Sequence, residues 1–197
     1  MLIRGLLTLM FGFAAAPTTS FSQAAVNIAP DSIISVASFD WNGDGTSDRA
    51  ILTEGAAGNT DLYIYLSAPA QNNNQQRELA LVKQDAAWWG GGGPGSQPSL
   101  EVNPKGSLLL MSGNWGIGRD RWEQTLTIAY RNDQFIVAGI TLEVRDTLDH
   151  SAGGNCDLNL LTGRGTRNGR GVDIGAQTIL LSTWKDERRV ELCQLER

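Results

Sequence analysis

The chain has 197 residues, of which 41% are hydrophobic, and its 21 acidic and 16 basic side chains give a net charge of −5. This length suits one domain with a sizeable hydrophobic core. The acidic balance disfavours nonspecific binding to nucleic acid, so nucleic acid is not expected as a partner.

The start of the chain is typical of an export signal. Arg4 is followed by an apolar stretch over residues 5–16, and Ser22-Gln23-Ala24 places small residues before a cleavage site. The apolar stretch is too short to span a bilayer, and no later segment is apolar enough for a membrane helix. We therefore predict a periplasmic or secreted protein without a membrane span, in which residues 1–24 are the signal peptide and residues 25–197 form one β domain.

The aspartate loop, which we define as residues 40–48, comes next along the chain. Asp40, Asn42, Asp44 and Asp48 place side-chain oxygens at its first, third, fifth and ninth positions, and a glycine occupies the sixth. This is the spacing of a calcium-binding loop, in which Thr46 would contribute its backbone carbonyl. Three carboxylates so close together repel one another unless a cation lies among them. The alternative is a metal-free turn, because Asp and Asn also bond to their own backbone in turns.

The flanks of the aspartate loop favour strands over helices. A helix–loop–helix calcium site would place a glutamate at the twelfth position, which here is the apolar Ile51. Phe39 to Asp48, followed by Ala50-Ile51-Leu52, resembles an FG-GAP or VCBS-type repeat over about residues 39–52. The resemblance implies a loop between two strands of a propeller blade that binds calcium through a set of five residues, namely Asp40, Asn42, Asp44, Thr46 and Asp48. A propeller needs about four or more blades of four strands each, and the motif occurs once, so a complete propeller is not expected.

The body of the chain alternates apolar and polar residues in the way that β-strands do. The clearest pair is 122–130 and 134–145, joined by a tight turn at Asn132-Asp133. Further strands are predicted at 33–39, 49–53, 61–66, 78–82, 100–102, 107–111, 157–161, 178–184 and 189–195. Short strands between clusters of Gly, Asn and Pro indicate an all-β fold, an antiparallel sandwich or a curled sheet.

Residues 122–130, 135–139 and 159–163 are similar to uncharacterised exported bacterial proteins with a W-x3-L-T-I-x-Y hairpin and an N-x-L-T-G turn. That similarity implies no known activity.

Two cysteines, Cys156 and Cys193, occur in the sequence. In an exported chain one pair of cysteines favours one disulfide, and the alternative is two free thiols. A disulfide between two cysteines this far apart in the sequence would stabilise the fold by roughly 3–4 kcal/mol in the chain-entropy model.

Tryptophans near glycines offer a first candidate ligand surface. Trp88 and Trp89 precede the glycine run at residues 90–95, and Trp115 lies in another glycine-rich stretch. Such aromatic side chains could form a sugar-stacking or protein-docking surface. The simpler interpretation, which we favour, is that at least one of the adjacent tryptophans covers the core.

A second candidate is the basic segment, which we define as residues 163–171. Arg164, Arg167 and Arg170 recur there at three-residue spacing and could grip phosphate or sulfate groups. The simpler interpretation is a solvated hairpin loop paired with nearby acids.

A catalytic site is not evident in the sequence. His150, the single histidine, follows Asp149 and precedes Ser151, but neighbouring residues on one strand or turn point in different directions, so a triad is not expected. We therefore predict an exported, calcium-binding, noncatalytic binding or adhesion module, with envelope polysaccharide or protein as its partner. The alternative is an exported hydrolase that acts on envelope or polysaccharide substrates.

Overall fold

A computed structural model describes residues 26–69, 77–90, 96–149 and 151–195. The predicted signal peptide, most of the glycine run and His150 lie outside these ranges. Within the described ranges, no helix has the length and apolarity that crossing a bilayer requires.

The N-terminal part of the described chain folds into a four-stranded antiparallel sheet, the small sheet. After a short 3-10 turn at Pro30–Ser32, each strand pairs with the next along the chain. The strands are β1 (Ile33–Phe39), β2 (Asp48–Glu54), β3 (Asn59–Ser67) and β4 (Arg77–Trp88). The aspartate loop is the connection between β1 and β2, as the strand–loop–strand prediction requires.

The rest of the described chain builds a larger antiparallel sheet, the large sheet, with strands in sequence order. Its path is β5 (Ser99–Val102), β6 (Leu108–Asn114), β7 (Asp120–Arg131), β8 (Gln134–Asp146), β9 (Gly153–Asn159), β10 (Arg164–Arg167) and β11 (Arg170–Asp173). A short strand, β12 (Ile179–Leu180), pairs with β8. The two sheets do not close into a barrel or a propeller, so the prediction of an all-β, non-propeller fold is confirmed.

The two sheets share one hydrophobic core. Leu52, Leu62 and Ile64 of the small sheet belong to the same buried cluster as Leu110 and Ile128 of the large sheet. Burying such side chains contributes about 1.5–3 kcal/mol each relative to leaving them exposed. The sheets also meet at their first strands, where the Leu100 N–H of β5 donates to the Ser35 Oγ of β1 at 3.0 Å.

Two tight turns follow directly from local sequence. Asn132 and Asp133 between β7 and β8 have φ values of +50° and +59°, and Asn168 and Gly169 between β10 and β11 have +49° and +72°. Paired left-handed residues match the right-handed twist of a hairpin, and Asn, Asp and Gly tolerate them best. The predicted turn at Asn132-Asp133 is confirmed.

The C-terminus departs from prediction. The strand predicted over 189–195 is wrong, because the segment forms a helix, α1 (Glu187–Cys193). The strand predicted over 178–184 is limited to β12 and is followed by a 3-10 turn at Leu181–Thr183. The helical repeat brings Leu192 and Cys193 into the core while Glu191 stays exposed.

A disulfide ties α1 to the large sheet. Cys156 on β9 is bonded to Cys193 at the end of α1, with their Cα atoms 5.6 Å apart, so the predicted pairing is confirmed. Both residues are fully buried. The bond therefore holds a short helix, which would be marginal alone, against the sheet.

Candidate functional site

The aspartate loop wraps around the carboxylate of Asp40. Asp40 Oδ1 accepts hydrogen bonds from the backbone N–H groups of Gly43 at 2.8 Å and Asp44 at 3.1 Å, and Oδ2 accepts from Gly45 N–H at 2.8 Å. Gly43 and Gly45 have φ values of +77° and +83°, which other residues resist. These angles turn three successive N–H groups toward one carboxylate.

The middle of the loop is held by Asn42 and Asp44. Asn42 Oδ1 accepts from Asp44 N–H at 3.1 Å, and Asp44 Oδ1 accepts from Thr46 N–H at 2.7 Å. Desolvation is the largest single influence on Asp44 and raises its pKa, but hydrogen bonds from the Thr46 backbone and the Asn42 and Thr46 side chains together outweigh it. The pKa of Asp44 therefore lies below the ordinary value of 3.8. The exposed carboxylate of Asp44 is negatively charged at neutral pH.

Asp48 anchors the end of the loop in the fold. It is fully buried, with Oδ2 accepting from Trp41 N–H and Oδ1 from Ser67 N–H, both at 2.8 Å. Ser67 ends β3, so this carboxylate connects the loop to a strand that is not its sequence neighbour. Trp41 in turn packs edge-on against Phe135 of β8 at 6.1 Å between ring centroids. The loop is thereby linked to both sheets.

The donor chemistry of the aspartate loop fits calcium. Every predicted ligand offers oxygen, and a hard cation such as Ca²⁺ prefers oxygen donors, carboxylates above all. The residues that would hold the ion are Asp40, Asn42, Asp44, Thr46 and Asp48. Among the described residues, however, no three His, Cys, Asp or Glu side chains stand grouped so as to hold a metal ion. The five ligands therefore remain a prediction.

An aromatic groove of about 620 Å³ opens where β4, β7 and α1 meet. Trp88 packs at a tilt of 47° against Trp122 with ring centroids 5.6 Å apart, and the guanidinium of Arg189 lies 4.0 Å from the Trp122 ring centroid. Trp184 also lines the groove and is 1% exposed. Its indole Nε1 has no hydrogen-bond partner among the described residues. Of these groove residues the sequence singled out Trp88 alone, because Trp122, Trp184 and Arg189 are far from it along the chain.

The other two tryptophans lie elsewhere. Trp89 is half-buried, and its backbone N–H donates to the carbonyl of Gly58 at 2.8 Å. Neither Trp88 nor Trp89 is fully buried in the core. Trp115 follows β6 and is 50% exposed.

The three arginines of the basic segment have separate surroundings. Arg167 Nη2 donates to the carbonyl of Leu192 at 2.9 Å and Nη1 to Gln194 Oε1 at 3.1 Å, so this side chain covers the C-terminal end of α1. Arg164 lies 3.7 Å from Asp173 across the hairpin, with both side chains well exposed. Arg170 is exposed beside Arg167 on the neighbouring strand. Two of the three arginines therefore already have partners within the chain.

A second cavity, of about 270 Å³, lies between the large sheet and α1 and contains two facing carboxylates. Asp120 and Asp146 are direct cross-strand partners on β7 and β8. The Arg119 side chain, the Leu148 and Asp149 N–H groups and the charge of Arg119 lower the pKa of Asp146 from 3.8 to about 2, against a smaller opposing effect of desolvation. Asp146 is therefore ionised at neutral pH.

No protein-family model, curated protein or solved structure matches the chain.

Proposed function

We propose that the chain is an exported, calcium-binding β domain that acts as a noncatalytic binding or adhesion module. The observation that carries the proposal is the aspartate loop, with its oxygen donors in calcium-loop order and its backbone already turned by Gly43 and Gly45. Envelope polysaccharide or protein is the proposed partner.

Calcium would act here as a structural ion. Asp40 and Asp44 both bond to N–H groups of the loop, and a bound cation would remove the repulsion between their charges. Because Asp48 ties the loop to β3 and Trp41 packs on the large sheet, order in the loop would be transmitted to the junction between the sheets. Calcium sites of extracellular modules commonly have dissociation constants of about 10⁻⁴–10⁻³ M.

The aromatic groove supports the role of a binding module. Trp88 and Trp122 are both partly exposed, and aromatic surfaces with nearby polar groups are enriched at sites of recognition. The confirmed disulfide supports export, because structural disulfides persist in oxidising compartments.

The alternative of an exported hydrolase has one observation in its favour, the facing pair of Asp120 and Asp146. A general acid for glycoside cleavage needs a raised pKa, whereas hydrogen bonds from Arg119 and from the Leu148 and Asp149 N–H groups lower the pKa of Asp146 to about 2. This electrostatic setting favours the noncatalytic interpretation.

The calcium proposal is tested by thermal unfolding in EDTA and in about 10 mM Ca²⁺. For wild type we expect calcium to raise Tm by about 3–10 °C, given the affinity range of such sites and the size of the domain. Asp44→Ala removes one proposed ligand that makes no contact with the core, so its Tm should respond much less to calcium. Glu54→Ala, which removes an exposed acid at the far end of β2, is the matched control and should respond as wild type does.

Equal melting temperatures of wild type in EDTA and in calcium would contradict the proposal. So would a calcium response of Asp44→Ala as large as that of Glu54→Ala, because the ion would then bind elsewhere.

A further inference from the structure

The small sheet has two faces, and one of them packs on the core. Leu52, Leu62 and Ile64 leave β2 and β3 on this inner face and are fully buried. Alternate residues of a strand point to opposite sides of a sheet, so the residues between them leave on the other side, which we call the outer face. Four direct cross-strand neighbours cross the outer face from β1 to β4 and form what we call the apolar row, namely Val36, Ile51, Tyr63 and Val82.

The apolar row is open to solvent. Val36 and Val82 at its two ends are 47% and 41% exposed, and Ile51 and Tyr63 between them are partly exposed. Three further apolar or aromatic residues lie beside the row on the same face, namely Ile33, Tyr65 and Leu79. None of these seven residues belongs to, or packs against, the buried clusters of the described chain. Exposed apolar surface of about 300–600 Å² on one face often marks a site of association.

Charged residues of opposite sign stand on either side of the apolar row. Arg49 comes two residues before Ile51, toward the aspartate loop, and Asp61 comes two residues before Tyr63, toward the other end of the sheet. The Arg49 guanidinium has no hydrogen-bond or ion-pair partner among the described residues. Asp61 Oδ1 accepts from the Asp85 N–H at 3.0 Å. The outer face therefore has a positive border and a negative border, with apolar side chains between them.

This pattern matches the outer face to a second copy of itself. A two-fold axis along the apolar row keeps row upon row and turns the Arg49 border of one copy over the Asp61 border of the other. Opposite charges then meet at both borders. Two antiparallel sheets of the same twist also pack face to face, at about 30° and about 10 Å apart. A strongly acidic or strongly basic partner would instead place like charges together at one border.

The size of the outer face sets the strength of such an interface. Four strands about 4.8 Å apart, with about seven residues of about 3.3 Å each, cover about 440 Å² per copy or about 900 Å² in total. Stable complexes bury about 1,200–2,000 Å², and smaller interfaces are typical of transient association. The area therefore indicates two copies that associate reversibly.

We propose that the outer face of the small sheet is the interface of a reversible two-fold dimer, in which the apolar row of one copy packs on the apolar row of the other. Burial of the row supplies the driving force, and the Arg49 and Asp61 borders fix the relative orientation of the copies. The inference goes beyond the proposed function, because a calcium-binding module needs only a single copy.

The test is sedimentation velocity of the full exported chain, in calcium and in EDTA. Concentrations from about 5 to 500 µM bracket the micromolar dissociation constants expected of a small interface. We expect the weight-average sedimentation coefficient to rise with concentration from that of a monomer toward that of a dimer. A monomer at every concentration would overturn the proposal.

Two lysine variants connect association to the apolar row. Val36→Lys and Val82→Lys each place a charge in the interface twice, once from each copy, and should weaken association by at least about tenfold. Both positions are exposed on the outermost strands of the small sheet, so the fold should persist. Leu148→Lys is the matched control, because it makes a similar change at a residue that is 76% exposed and lies after β8, outside the small sheet. It should associate as wild type does.

A charge exchange tests the two-fold symmetry. Arg49→Glu should weaken association, because two acids would then meet at each border, and Asp61→Lys should weaken it by the reverse effect. The double variant Arg49→Glu/Asp61→Lys should recover most of the lost affinity, since its borders are complementary again. Because Asp61 also accepts the Asp85 N–H, thermal unfolding of each variant checks that it is folded.

Two further outcomes would overturn the proposal. Association of Val36→Lys and Val82→Lys as strong as that of Leu148→Lys would mean that another surface joins the copies. Failure of the folded double variant to recover affinity over Arg49→Glu alone would mean that the two borders do not face each other.

Discussion

The aspartate loop and the basic segment both belong to hairpins of neighbouring antiparallel strands, but their polar side chains bond to different parts of the molecule. Asp40 and Asp44 accept hydrogen bonds from N–H groups within five residues of themselves. Arg167 instead reaches the end of α1, which is 25 residues further along the chain. A short polar side chain can fold back on its own backbone, whereas a long one is free to find a distant partner.

Asp48 combines both behaviours. It belongs to the loop by sequence and bonds to the N–H of Trp41, yet its other oxygen bonds to the N–H of Ser67 on β3. A loop that looks self-contained in the sequence is therefore fixed to the fold at its last residue.

The largest effect that would sharpen this comparison is expected for Asp48→Ala. Two buried backbone N–H groups would lose their acceptor, at a cost of about 3 kcal/mol in the free energy of unfolding. Urea denaturation in EDTA measures this cost without any contribution from calcium. Asp48→Asn keeps an acceptor oxygen and should lose clearly less. A cost below about 1 kcal/mol for Asp48→Ala would mean that the loop holds itself together without this anchor.

A smaller effect is expected from the basic segment. Arg167→Ala removes two hydrogen bonds, one of them to a carbonyl at the negative end of the helix dipole, and should cost about 1–2 kcal/mol. Arg170→Ala, its exposed cross-strand neighbour, is the matched control and should change stability by less than about 0.5 kcal/mol. Both are measured by urea unfolding. Equal effects of the two variants would remove the distinction between an arginine bonded to α1 and one in solvent.

The smallest expected effect is on the pH dependence of stability and comes from Asp146. Its carboxylate accepts hydrogen bonds both from the adjacent backbone and from the long side chain of Arg119. Its folded pKa of about 2 lies below the ordinary 3.8, so its contribution to stability is present above about pH 4 and is lost as pH falls toward 2. Asp146→Asn still accepts from Leu148 and Asp149 N–H but carries no charge, so its unfolding free energy should fall less steeply across this range. Arg119 is 56% exposed, which keeps the difference small.

Identical slopes for wild type and Asp146→Asn between pH 4 and 2 would show that the Arg119 pair does not contribute. Added salt should reduce the difference between the two proteins, because the pair lies near solvent.

Much of the fold could be predicted because strand alternation is a local property. The 122–130 and 134–145 strands, their Asn132-Asp133 turn and the strands around the aspartate loop all appear near the predicted positions. The C-terminus could not be predicted in this way. Val190 and Leu192 alternate as in a strand, but the segment is a helix in which Arg189 packs on Trp122 and Cys193 is bonded to Cys156, and these partners are distant in sequence.

The candidate sites divide in the same manner. Local sequence identifies the oxygen donors of the aspartate loop, since their spacing and the two glycines are contained in nine residues. The aromatic groove has no such signature, because Trp88, Trp122 and Arg189 lie on three separate segments of the chain.

The sequence by itself determined the β character of the chain, the loop conformation from Asp40 to Thr46 and the pair of cysteines available for a disulfide. The tertiary structure decided what Asp48 and Arg167 bond to, that residues 187–193 form a helix, and that Trp88 and Trp122 pack together. The physical reason is range: backbone angles and short side chains respond to neighbours in sequence, whereas burial and long-range hydrogen bonds depend on which strands the fold brings together.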